Sequence, residues 1–289
     1  MPKREGVLAF LVVTFGLTWA VELGMLAKGV SLTGQPSPAP QIIVALIMFI
    51  PGLSAFIVRK FITREGFGDA GLRFGRRSYY LIAWLLPVIL SVVTISVAVA
   101  LRQAQFDFSL SQLMEIMAER APEKPLPSPG SLLFTIFVSS MTMAVIVNSI
   151  FTFGEEFGWR GYLLMRLLPK GELQAMVLTG IIWGIWHTPL ILMGFNYPGH
   201  PVLGIGLMIV FCVLLSIIFG WLRLASDSIF TPTIAHASLN GPAMALLVVL
   251  KGHNVIISTL LGLIGFAVMG SFSAWLYFSG RLRTTTDDL

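Results

Sequence analysis

Eight apolar stretches, each long enough to cross a bilayer, dictate what this chain becomes. They lie near residues 7–27, 41–62, 79–101, 131–168, 173–193, 203–223, 229–250 and 255–279. About 20 apolar residues in a helix cross a hydrocarbon core of ~30 Å. In lipid every backbone N–H and C=O must find its partner inside the protein, so stretches of this length become helices. Composition agrees: of 289 residues 56% are hydrophobic and only 11% charged, against about 25% charged in an ordinary soluble domain. A soluble globular enzyme and a disordered chain are both excluded. The expected fold is all-α, one polytopic membrane helical bundle over residues 1–289 with about eight transmembrane helices and no separate soluble domain.

Charge placement orients the bundle. Most of the 19 lysines and arginines fall in alternate loops, among them Arg59, Lys60, Arg64, Arg73, Arg76, Arg77, Arg166, Lys170 and Arg223. The opposite side carries only Lys28, Arg102, Arg120, Lys124 and Lys251. Cytoplasmic loops are the basic ones, so both termini are expected to be cytoplasmic. The net charge of +5 is a product of those loops and does not indicate a nucleic-acid partner. The first apolar run ends without a small-x-small cleavage site and reads as a retained helix, not a signal peptide. The single cysteine, Cys212, excludes an internal disulfide and a cysteine zinc knuckle. Leu110, Leu113, Met114 and Met117 recur at helical spacing in the loop 107–125, which is either an amphipathic surface helix or a mobile loop.

Ionisable residues inside a span are costly and mark function by default. The set is Glu22, Glu155, Glu156, Arg160, His187 and His236, with the amides Asn148 and Asn240. Glu156 and Arg160 are four apart on one helix face and can pair, while Glu155 points about 100° away. Trp183 and His187 share a face, as do His236 and Asn240. Glu155 and His187 are each 16 residues from the turn at Gly171, so antiparallel neighbours bring a carboxylate and an imidazole to one level. His236 is only about nine residues beyond the cap at 226–228, a shallower depth by about 10 Å. Either tilted helices or a projecting turn at 169–172 must reconcile the two.

A carboxylate beside an imidazole can position and deprotonate water. A histidine with an asparagine amide can donate hydrogen bonds to an oxyanion. Glu155 and His187 are therefore the expected water activators and His236 with Asn240 the expected oxyanion site. Glu156 and Arg160 form the expected structural pair, and Trp183 and Asn148 support from behind. No His-Glu-x-x-His motif and no intramembrane aspartate pair occurs. Gly52-Leu53-Ser54-Ala55 has the look of a serine-protease motif, but small residues packed in a span explain it. No metal is required, although Glu155, His187 and His236 form the alternative, a zinc site of two histidines and one carboxylate. Glu22 reads as a snorkelling residue at the outer end of its helix, and His200 and His253 as solvated loop residues.

Glu155-Glu156…Arg160, Trp183…His187 and His236…Asn240 together resemble the three motifs of the type II CAAX prenyl endopeptidase and bacteriocin-processing family, also called CPBP or ABI proteins. Trp183 stands where that family usually has phenylalanine. The resemblance implies a glutamate-type intramembrane endopeptidase with a cavity open to the cytoplasm. It implies a membrane-associated peptide, or a prenylated protein of the CAAX type, as substrate. It places the chain as a multi-pass protein of a cell membrane, the plasma membrane in a prokaryote or the endoplasmic reticulum in a eukaryote. A non-catalytic scaffold or bacteriocin-immunity protein of the same fold is the competing expectation, and a proton-relay transporter a third, which would need a repeat that the sequence lacks.

Overall fold

The computed structural model describes residues 3–33 and 38–282. The chain ends that the charge bias assigns to the cytoplasm, Arg283 included, lie outside the described residues. The fold is almost entirely helical, as expected. Among the described residues seven helices are long and apolar enough to cross a membrane: Glu5–Ala27, Pro38–Ile62, Ser78–Ala100, Pro129–Lys170, Pro201–Ser226, Phe230–Val249 and Val255–Phe278. The eighth apolar stretch is realised in two pieces, α9 (Glu172–Trp186) and α10 (Thr188–Leu192). Fifteen residues span only about 22 Å, and Pro189, which has no N–H to donate, marks the restart just after His187. The break puts His187 at a helix end inside the bundle.

Four elements carry the site. They are α1 (Lys3–Ala27), α7 (Val145–Gly158), α9 and α12 (Phe230–Ser238). Around them stand α3 (Ile50–Ile57), α4 (Ser78–Ala100) and α11 (Pro201–Ser226). Between α4 and α7 lie α5 (Ser111–Arg120) and α6 (Pro129–Ser139). The helix choice in the 107–125 loop is thus realised, with Leu110 buried just before α5.

Two pairs of glycines set the close approaches. Gly180 and Gly184 lie on the face of α9 that meets α11. A Cβ at Gly180 would stand 2.5 Å from Val213 Cα, and one at Gly184 equally close to Ile209 Cα. On α7, a Cβ at Gly154 would meet Phe49 Cα at 2.7 Å, and one at Gly158 would meet Pro51 Cβ at 2.5 Å. In both helices the four-residue spacing lets backbones touch, the usual means of tight association in lipid. Gly52 completes the α3–α7 contact, since its Cβ would lie 2.6 Å from Gly154 O. Ser54 is buried beside it, so the Gly52–Ala55 segment is a packing surface, as expected.

The depth mismatch resolves at the basic end. Asp69 ties three helices together there: Arg59 and Arg166 each reach its carboxylate at 2.7 Å, and Arg223 donates to its carbonyl at 2.7 Å. Arg166 is therefore level with the end of α11, and residues 167–171 project beyond it. From Arg166 to Glu155 is about 16 Å of helix, against about 12 Å from Ser228 to His236, so most of the mismatch disappears.

Candidate functional site

The three helices that carry the motif residues depart from regular α geometry within or just after their motifs. Helix α7 passes into a π turn over Trp159–Leu163, α9 ends at His187, and α12 passes into a π turn over Leu239–Ala243 that contains Asn240 and Pro242. A π turn shifts the register of the downstream helix by one residue and is often found at functional sites. In α12 it also accommodates Pro242 without breaking the span.

Glu155 and Glu156 are both buried and point to different partners. Glu155 Oε2 accepts hydrogen bonds from Trp183 Nε1 at 2.7 Å and Trp159 Nε1 at 3.4 Å. Glu156 Oε1 accepts from Arg160 Nη1 at 2.9 Å and from His236 Nδ1 at 2.9 Å. The i, i+4 pair expected from spacing is present, and it has a third member that spacing did not reveal. The Arg160 guanidinium lies 4.3 Å from the ring centre of Trp183 and 5.3 Å from that of Phe219. Two carboxylates, one guanidinium and a protonated His236 would sum to no net charge, which limits the cost of burying them together.

Hydrogen bonding assigns the tautomers. A carbonyl oxygen only accepts, so His187 Nδ1, 2.9 Å from Trp183 O, carries the proton and Nε2 keeps its lone pair. Likewise His236 Nδ1 carries a proton and donates it in a hydrogen bond to the Glu156 carboxylate. His236 can donate from Nε2 only as the imidazolium.

Glu155, His187, His236 and Asn240 line one cavity of about 110 Å³, walled by Trp183, Trp186 and Phe211. A single water needs roughly 10–15 Å³ measured in this way, so several fit. Asn240 is exposed and also borders a second hollow of about 610 Å³ facing outward between α7 and the π turn after α12. Asn148 lines that hollow, not the cavity, and bonds its own helix at Ala144 O, 2.7 Å away. It shares the Glu155 face of α7 but lies about 10 Å further along the axis.

Three features escaped the sequence. Trp159 lies one turn after Glu155, a spacing that marks it once Glu155 is singled out. Trp186 donates to Thr18 Oγ1 at 2.9 Å, and its carbonyl accepts from Trp19 Nε1 at 3.2 Å, which fastens α1 behind His187. Glu22 is the clear correction. It does not snorkel; it is fully buried, and both carboxylate oxygens lack a partner among the described residues. The end of α1 is covered by the Trp186–Leu192 segment, a contact no local pattern announces. His200 and His253 are exposed, as expected.

Among the described residues no three His, Cys, Asp or Glu side chains are grouped to hold a metal ion. His187 Nδ1, His236 Nδ1 and Glu155 Oε2 are each engaged by protein groups.

The cavity lies away from the basic loops, Arg160 being the one arginine beside it. Its lining includes Phe195 and Asn196 from the loop after α10, and Leu261 from the loop before the last helix. The basic loops cap the other end. Two expectations thus point in opposite directions: the charge bias puts the basic end in the cytoplasm, whereas the family resemblance has the cavity open there.

Residues 130–242 match the family model for type II CAAX prenyl endopeptidase Rce1-like proteins. That stretch holds all three motifs, from Glu155 to Asn240. The resemblance read from the motifs is therefore shown. A 44-residue segment is 46% identical to CAAX prenyl protease 2 of Methanococcus maripaludis, covering 15% of this chain and 16% of that protein. Together with the seven long apolar helices, the match makes this a multi-pass membrane protein.

Proposed function

We propose that the chain is an intramembrane endopeptidase that hydrolyses a peptide bond of a membrane-associated protein or peptide. One observation carries the reading: Glu155, His187, His236 and Asn240, from three separate helices, line a single cavity with room for water. The name of the Methanococcus relative and the Rce1-like match support a protease on this scaffold.

A water held between the Glu155 carboxylate and His187 Nε2 gives its proton to Glu155 as its oxygen attacks the scissile carbonyl carbon. The resulting oxyanion accepts hydrogen bonds from His236 Nε2–H and from the Asn240 amide. Glu156, itself held by Arg160, stabilises the His236 imidazolium through Nδ1. As the C–N bond breaks, Glu155 returns the proton to the leaving amine. No serine or cysteine nucleophile enters, and no metal. The hollow bordered by Asn240, Ser139 and Asn148 is the entry for a chain arriving from the bilayer.

Reconstituted protein should cleave membrane-anchored peptides, and a chelator should leave the rate unchanged. Matched substrates with and without a farnesyl group decide whether prenylation is required. Asn240→Ala should lower kcat by about 100-fold while KM changes little, the size of losing one oxyanion donor. If no anchored peptide is cleaved while the wild-type protein still performs its cellular role, the protein is a scaffold; if stoichiometric zinc restores chelated activity, the roles above are wrong.

A further inference from the structure

A second cavity takes no part in this chemistry. It is a groove of about 1200 Å³ between α4 and α7, walled by Trp84, Val145, Ser149 and Phe153. It shares no lining residue with the Glu155 cavity. At the basic end of the bundle, Phe74, Arg77 and Tyr80 line the groove and also enclose a smaller hollow of about 310 Å³. Arg77 is exposed there, and among the described residues its guanidinium has no ion pair. Arg59, Arg73, Arg160, Arg166 and Arg223 each have one. An apolar slot therefore ends in an uncompensated cation.

We propose that the groove binds an anionic phospholipid, with an acyl chain along α7 and the phosphate on Arg77. The guanidinium offers paired donors that match phosphate oxygens. Basic pockets between transmembrane helices favour anionic headgroups over zwitterionic ones. From Phe153 to Met141 the wall runs about 18 Å, slightly more than one leaflet of a ~30 Å hydrocarbon core. Charge complementarity and depth thus both describe one lipid of the leaflet on the basic side. The bound lipid would lie on the α4–α7 seam and brace the helix that carries Glu155.

Native mass spectrometry of the protein in neutral detergent tests this with phosphatidylglycerol and phosphatidylcholine of identical chains. Phosphatidylglycerol should bind more tightly. Arg77→Gln should weaken it about five-fold, the size expected of one basic residue, and leave phosphatidylcholine unchanged. Ser149→Trp, which fills the groove, should reduce both lipids; Ile146→Trp on the same wall serves if that variant fails to fold. Arg120→Gln, on α5, should change neither. Equal binding of the two lipids, an Arg77→Gln variant that keeps its preference, or displacement of the lipid by millimolar inorganic phosphate alone would overturn the proposal.

Discussion

Two adjacent glutamates divide their tasks because a helix turns about 100° per residue. Glu155 faces the cavity and two indole N–H groups, while Glu156 holds Arg160 and His236. Their amide variants should fail differently. Glu156→Gln strips the charge that both cations share and should destabilise the fold by about 3–5 kcal/mol, as breaking a buried pair does; thermal unfolding in detergent measures it. Trp183→Phe keeps the ring under Arg160 but loses the bond to Glu155, and should cut kcat about ten-fold and also lower the melting temperature, since a hydrogen bond to a charged group contributes ~1.5–3 kcal/mol to the fold. The i, i+4 pairing of Glu156 with Arg160 is legible in the sequence because it is local. The bond from His236 to Glu156 is not, since it joins residues 80 apart. The burial of Glu22 is hidden for the same reason: whether a helix end meets lipid or protein depends on a segment far away in sequence.

At the scale of elements, glycine spacing decides how closely the site helices approach. Gly184→Ala would force a methyl group against Ile209 Cα on α11. Overpacking of this kind costs about 1–3 kcal/mol, and a lowered melting temperature together with reduced activity is expected, because His187 is three residues away. These glycines are visible in the sequence, but their partners are not, and a small-residue stripe has no meaning until the facing helix is known. Outside the membrane, the start of α5 is tied to Asp107, four residues before it, which accepts bonds from the Ser109 hydroxyl and from the Ser111 hydroxyl and N–H. The bond from Ser109, then those from Ser111, pull its carboxyl down to about 2. A lowered native value stabilises the fold fully above the unfolded value of about 3.9 and is lost as pH falls through about 2. The protection factors of the Ser111 and Met114 amides, each relative to its intrinsic exchange rate, should therefore hold at pH 5 and fall towards pH 2. In Asp107→Ala they should already be low at pH 5 and change much less with pH.

For the whole molecule, the number and order of spans come from hydropathy alone, because backbone satisfaction in lipid leaves few choices. Depth does not. Counting residues from a turn assumes that the turn lies at the membrane face, yet Arg166, five residues before Gly171, meets Arg223 from a different helix at Asp69. Sidedness is an expectation from the charge bias alone, on which the Asn196 end of the cavity should face away from the cytoplasm. In sealed cells, Asn196→Cys in a Cys212→Ala background should react with an impermeant maleimide added outside. Protection there, with labelling only after lysis, would reverse the orientation and agree with a cytoplasmic cavity. Beneath all of this stands one claim, that Glu155 activates the hydrolytic water. The direct measurement is single-turnover cleavage of a membrane-anchored peptide by the purified wild-type protein and Glu155→Gln, with melting temperatures recorded alongside. The account expects a rate lower by about 100-fold or more, the size of a lost general base, at a melting temperature near wild type. Cleavage by Glu155→Gln at the wild-type rate would contradict it.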